Sequence, residues 1–286
     1  MQFSSLSSFL STHGHVLANG PNALIFCEDD VECASTIDHH IKSGFRNIIV
    51  FAPVFISITD GPNIYVIDYD PTAEHITENC VNACLPYAKG QWLFYCYNAE
   101  YLFFPFSETR NVVELLAFHS EEKRDAMLTY VIDVYADDLS KFPNAVSRSN
   151  AYLDKAGYYA LGRKDPVTFE NVDRQMDFFG GLKWRFEEFI PYEKRKIDRI
   201  ALFKAKDNLS LRPNHTLSDE EYNTYSCPWH HNLTAALISF RTAKALTRNP
   251  TSRSQISTFS WHNSVPFSWT SQQLLDLGLI ETGQWF

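Results

Sequence analysis

Asn22-Ala-Leu-Ile-Phe-Cys-Glu-Asp-Asp-Val-Glu-Cys-Ala-Ser-Thr-Ile-Asp-His-His-Ile-Lys-Ser-Gly-Phe-Arg-Asn-Ile-Ile-Val-Phe51 is the stretch on which the fold turns. Residues 22–27 form a continuous apolar run, the pattern of a strand buried on both faces. The acids Glu28, Asp29 and Asp30 follow, placed to cap a helix. Val31, Ala34, Ile37 and Ile41 then recur at helical spacing, and Gly44 stands where a helix favours glycine after its last turn. Residues 47–51 are a second apolar strand. Strand, helix and strand at this spacing predict a parallel sheet covered on both sides.

Working outward, the alternation continues. Residues 64–68 read as a strand. Residues 74–88 read as a helix with Ile76, Cys80, Cys84 and Ala88 on one stripe, and 92–96 as a further strand. A helix is expected over 110–118. A half-buried strand is expected over 126–134, where Ala126, Leu128, Tyr130, Ile132 and Val134 alternate. Residues 1–20 are Ser-rich and weakly patterned, a lead-in. Beyond 136 the pattern loosens: 136–175 read as loop-rich, Phe178 to Gly181 as a turn, and 199–204 as a strand. Residues 232–247 read as an amphipathic helix carrying Leu233, Ala236, Leu237, Phe240 and Ala243. The expected architecture is α/β, a mostly parallel sheet flanked by helices. It forms one domain over 21–286, with a regularly alternating half (21–140) and a less regular half (141–286).

The 286 residues carry a net charge of -9, with 45% hydrophobic and 15% aromatic side chains. No basic stripe is available to neutralise phosphates, which disfavours a nucleic-acid partner. The cysteines at 27, 33, 80, 84, 96 and 227 form no Cys-x-x-Cys pair, and most lie inside apolar runs as small hydrophobes. Neither a secretory signal nor an apolar run of about 18 residues is present. A cytoplasmic location is the resulting expectation, with peripheral membrane contact through the aromatic C-terminus left open. The sequons at Asn208, Asn214 and Asn232 are then chance matches.

In an open parallel sheet, ligands bind beyond the carboxyl ends of the strands. Glu28 and Asp29, then Asp68 and Asp70, then Asn98 and Glu100 all follow predicted strands. Carboxylates there can hold a ribose hydroxyl, a base edge or a divalent cation.

These stretches resemble family 2-like glycosyltransferases of the GT-A fold. In residues 27–44, Asp29 stands at the family's Glu and His40 at its His. Residues 92–105 resemble the family's Trp-x-x-x-x-Asp-x-Asp-Glu-Phe-Leu-x-x-Pro: Trp92, Glu100, Leu102 and Pro105 match, while Tyr97 and Ala99 replace both aspartates. Phe179-Gly-Gly181 resembles a Gly-Gly turn ahead of an Arg-containing strand. The region around His215 and Trp229-His230-His231 resembles the closing His segment. The resemblance implies transfer of a sugar from a nucleotide-sugar donor to a glycan or other hydroxyl acceptor, with 21–140 as the nucleotide-binding half and 141–286 as the acceptor half. Glu28, Asp29, Asp68, Asn98, Glu100, Lys183, Arg185 and His230 are the donor-side candidates. A phenol and a methyl group cannot replace two carboxylates around Mn²⁺ or Mg²⁺. Any cation would fall to Glu100 with His230 or His215; otherwise Lys183 and Arg185 offset the phosphate charge. Asp177, Glu187 and Glu188, which flank the Gly-Gly turn, are the candidate bases for the acceptor hydroxyl. Two rival readings follow from the same residues: a non-catalytic binding or scaffold protein that keeps the fold, and a His/carboxylate metallohydrolase.

Overall fold

The structure is a computed structural model and describes residues 1–225 and 232–285. It is α/β, with a mixed, mostly parallel sheet flanked by helices. In chain order the first elements are β1 (Gln2–Phe3), α1 (Leu6–His13), β2 (Asn22–Phe26), α2 (Cys33–Lys42), β3 (Asn47–Ala52) and β4 (Ile64–Asp68). Next come α3 (Ile76–Cys84), β5 (Trp92–Tyr97), β6 (Glu100–Phe103), α4 (Val112–Glu121) and β7 (Ala126–Ala136). Then follow β8 (Ala151–Asp154), β9 (Tyr159–Lys164), β10 (Asn171–Phe179), α5 (Gly181–Arg185) and β11 (Asp198–Lys204). The last are β12 (Ala235–Ser239), α6 (Arg241–Arg248), α7 (Pro250–Gln255), β13 (Ser264–Pro266) and α8 (Ser271–Asp276). The chain divides into two compact units. One comprises 1–101, 107–128 and 200–223; the other comprises 102–106, 129–199 and 224–286.

In the first unit β1, β4, β3, β2 and β5 lie side by side in that order, all parallel, and β11 runs antiparallel to β5. Every residue of β2 and β3 is buried, as unbroken apolar runs in a doubly covered sheet should be. Alternation along β5 places its two covers. Phe94 and Cys96 face His40 of α2, while Tyr97 donates to Thr77 of α3, so the two helices cover opposite faces. The α2 helix closes as predicted. Gly44 has φ +97°, its N–H reaches Ile41 O, and Phe45 N–H reaches His40 O, a pairing that satisfies the last carbonyls. The opening residues are more than a lead-in: β1 pairs with β4, and Phe9 and Leu17 are fully buried.

In the second unit β7 pairs in parallel with β12 and antiparallel with β8, which in turn pairs with β13; β9 and β10 form a separate hairpin. Tyr135, Ala145, Leu182, Ala243, Leu246 and Phe259 make its core. Three expectations are corrected here. Residues 232–247 are not one helix, because 235–239 form a fully buried strand and the helix starts at Arg241. A short apolar run fits a central strand as well as a helix face. Residues 136–175 contain β8, β9 and part of β10 rather than loop alone. The strand over 126–136 is buried on both faces rather than half-buried.

Candidate functional site

Successive strands step from β2 to β3 to β4 in one direction, and β5 then lies on the other side of β2. The carboxyl ends of β2 and β5 therefore flank the point where the strand order reverses, the place where open α/β sheets bind ligands. Glu28 and Asp29 follow β2, and Asn98 follows β5. The structure brings these three residues together. Glu28 N–H donates to Asn98 Oδ1 (2.9 Å), and Asn98 Nδ2 donates to Asp29 Oδ1 (2.6 Å) and to Val31 O (2.8 Å). Asp29 Oδ1 also accepts from Val31 N–H at 3.0 Å. Asp29 thus closes a local turn and does not cap α2, whose first residue is preceded by Glu32 with no side-chain cap. Two strands away, Asp68 ends β4 and is exposed. Asp70 is also exposed; bonds from the Thr72 hydroxyl and N–H hold its carboxyl below the usual range.

Non-glycine residues in the left-handed region mark the loops at these strand ends: Glu32 (φ 57°) after β2, His75 (φ 52°) after β4 and Ala99 (φ 60°) after β5. Such backbone persists only where neighbours enforce it, and it concentrates at functional sites. Two of the supports are visible. Thr36 Oγ1 accepts from Ala99 N–H at 2.9 Å, and the Glu32 carboxylate accepts from Tyr101 OH and Ser35 Oγ.

The Tyr97–Glu100 turn does not fit a divalent cation. Tyr97 OH donates to Thr77 Oγ1, Ala99 offers only a methyl group, and the fully buried Glu100 accepts from Tyr97 N–H through Oε2 at 2.9 Å. Among the described residues no three His, Cys, Asp or Glu side chains come together to hold a metal ion. His215 is placed on Tyr95, with Nδ1 3.0 Å from the phenol oxygen. His230 lies outside the described residues.

Lys183, Arg185, Asp177, Glu187 and Glu188 belong to the second unit. Arg185 lies on α5, a helix where the resemblance implied a strand. Its guanidinium bonds both oxygens of the buried Asp154 (3.2 Å each) and Phe259 O, and stacks 4.6 Å from the centre of the Trp261 ring. Lys183 Nζ donates to Lys196 O. Asp177 is held by Arg163 (2.6 Å) and Lys196 (3.1 Å), and Glu187 by Arg195 (3.0 Å); Glu188 is exposed.

Asp133 is the residue the sequence reading missed. It sits on β7 at 1% exposure, and Oδ2 accepts from Leu182 N–H at 3.0 Å. Its Oδ1, like the buried hydroxyl of Tyr158, has no hydrogen-bond partner among the described residues. The diglycine packs between these groups: a Cβ on Gly180 would lie 2.1 Å from the Tyr158 ring, and one on Gly181 (φ +61°) 3.0 Å from Asp133 Oδ2. Burial pushes the Asp133 carboxyl up to about 6, against the pull of Lys183. The available signal was an acid inside a strand that carries no other charged residue. Reading that strand as half-buried put Asp133 on the solvent face.

A surface cleft of about 360 Å³ lies at the other end of β5, beside Gly90, with Lys89, Lys204, Lys206 and Tyr222 in its wall. Its lysines pair with Asp207, Asp125 and Asp219. No known protein-family model matches the chain, and comparison with curated proteins finds no match. No helix among the described residues is long and apolar enough to cross a membrane.

Proposed function

We propose that the chain is a GT-A-like, family 2-type glycosyltransferase that takes its sugar from a nucleotide donor bound at the β2/β5 crevice. The observation that carries this reading is the meeting of Glu28, Asp29 and Asn98 where the parallel strand order reverses. In this reading Glu28, Asp29 and the exposed Asp68 accept hydrogen bonds from ribose hydroxyls and the base edge. The reaction forms a bond from an acceptor hydroxyl oxygen to the anomeric carbon and breaks the bond from that carbon to the donor phosphate oxygen; the hydroxyl proton passes to a base, and the nucleotide leaves (a diphosphate from UDP-, GDP- or dTDP-sugars, CMP from a CMP-sugar). The Tyr97–Glu100 turn takes no part in neutralising the leaving phosphate through a cation. Of the three candidate bases, Asp177 and Glu187 are held in ion pairs with Arg163, Lys196 and Arg195, and Glu188 is exposed. The five buried free thiols among the described residues suit a reducing, cytoplasmic setting.

A second reading is favoured by a specific observation. Tyr97, Asn98 and Ala99 bond to Thr77, Asp29 and Thr36, and Glu100 closes the turn on Tyr97 N–H, as in a relative that has exchanged its cation site for a structural turn and binds without catalysing. Incubation with a panel of UDP-, GDP-, CMP- and dTDP-sugars, followed by detection of free nucleotide, separates the two. Release of nucleotide from one donor, lost in Asp29→Ala, is the expected result. Binding of a nucleotide with no release from any donor establishes the second reading instead.

A further inference from the structure

We infer that the Asn98 carboxamide is a built-in replacement for a cation at the β2/β5 crevice, so that this chain holds the crevice together without one and a single substitution turns it into a divalent-cation site. The inference rests on atoms already placed and does not depend on which ligand the crevice takes. The amide orientation is fixed by its neighbours. Oδ1 faces the N–H of Glu28, and Nδ2 faces two acceptors, a carboxylate oxygen of Asp29 and the carbonyl of Val31. The reverse orientation would set donor against donor and acceptor against acceptors. An NH₂ group carries two partly positive hydrogens, and here both point at oxygen. It occupies the space between Asp29 Oδ1 and Val31 O that a hard cation prefers, since such ions take oxygen ligands.

Exchanging that nitrogen for oxygen reverses the electrostatics. In Asn98→Asp, Oδ1 still accepts from Glu28 N–H, but the other oxygen meets Asp29 Oδ1 and Val31 O, which stand 2.6 and 2.8 Å from the present nitrogen. Three oxygens then converge with no proton between them. A bound cation or a shared proton relieves the repulsion. The ligand set is all oxygen, so the class of ion is Mg²⁺, Mn²⁺ or Ca²⁺ rather than a thiolate- or imidazole-seeking metal.

The test is thermal unfolding of the full chain in EDTA and in millimolar Mn²⁺ or Ca²⁺. The wild type is expected to melt at the same temperature in both. Asn98→Ala, which removes the bridge without adding charge, melts roughly 5 °C lower in both conditions. Asn98→Asp melts at least as low in EDTA at neutral pH, and recovers most of the loss with either cation or on mild acidification. Should Asn98→Asp fail to fold in EDTA, refolding it in millimolar Mn²⁺ or Ca²⁺ is expected to recover the folded protein, and failure to recover it with either cation overturns the inference. A wild type stabilised by the cation, or an Asn98→Asp protein indifferent to it, likewise overturns the inference.

Discussion

Asp133 and Arg185 show how burial decides what a single charged side chain can do. Arg185 reads in sequence as a cation for a donor phosphate. In the structure both it and Asp154 are nearly excluded from solvent, and Asp154 also accepts from Tyr135 OH and Trp261 Nε1. Removing one member of such a pair strands the other. Arg185→Gln is therefore expected to lower stability by about 3 kcal/mol in denaturant unfolding. A loss under about 1 kcal/mol would show that the guanidinium is available for other work. For Asp133 the sign runs the other way from a paired carboxylate. Its folded pKa of about 6 lies above the unfolded value, so the folded state holds the extra proton between the two. Its contribution is most favourable below pH 4 and declines as pH rises to about 6, by roughly 3 kcal/mol in all. Asp133→Asn keeps an acceptor for Leu182 N–H and removes the ionisation. The melting temperature of the variant relative to wild type should rise from pH 4.5 to pH 7, and a flat difference would count against a buried, ionising Asp133.

At the scale of elements, α4 depends on its start. Asn111 Oδ1 accepts from the N–H groups of Val113 and Glu114, and the Glu114 carboxylate accepts from Asn111 N–H. Asn111→Ala is expected to cost about 1 kcal/mol, measured by chemical denaturation, whereas Asn111→Ser should cost much less. The legibility of the elements followed their environment. β2, β3, β4 and β5 were readable because two-sided burial leaves an unbroken apolar run, and α2 because its apolar stripe ends at Gly44. β12 was not readable as a strand, because Ala235–Ser239 lies inside a spacing that also fits a helix. β9 and β10 were hidden because their residues are mostly exposed or half-buried, which leaves no apolar signal. The candidate site was legible as positions, since Glu28, Asp29, Asn98 and Glu100 all follow strands. Its bonding was not, because the Asn98 bridge joins residues about 70 apart in sequence, and no local pattern records such a contact.

At the scale of the whole molecule, pH dependence adds up over buried groups of opposite behaviour. His40 and His119 are buried, which pushes their pKa values down to about 3 and about 4; Arg124 adds to the effect at His119. Each stays neutral in the folded state while the unfolded chain takes up a proton below about pH 6.5, so each destabilises the fold as pH falls through that value. Asp133 works against them. Between about pH 4 and 6, two protons favour the unfolded state and one favours the folded state. The balance from these three groups alone is a loss of roughly 1.4 kcal/mol per pH unit on acidification, and Asp198, whose carboxyl burial also pushes up, offsets part of it. A melting temperature that rises on acidification from pH 6 to pH 4.5 would contradict that balance. The central claim concerns the crevice where Glu28, Asp29 and Asn98 meet, and its most direct test is a thermal-shift titration with UDP, GDP, CMP and dTDP, each in EDTA and in Mn²⁺. A ligand that binds only the folded chain raises its melting temperature with concentration. We predict that one of the four does so, equally in EDTA and in Mn²⁺, and that Asp29→Ala abolishes the shift; no shift with any of them at millimolar concentration would contradict the account.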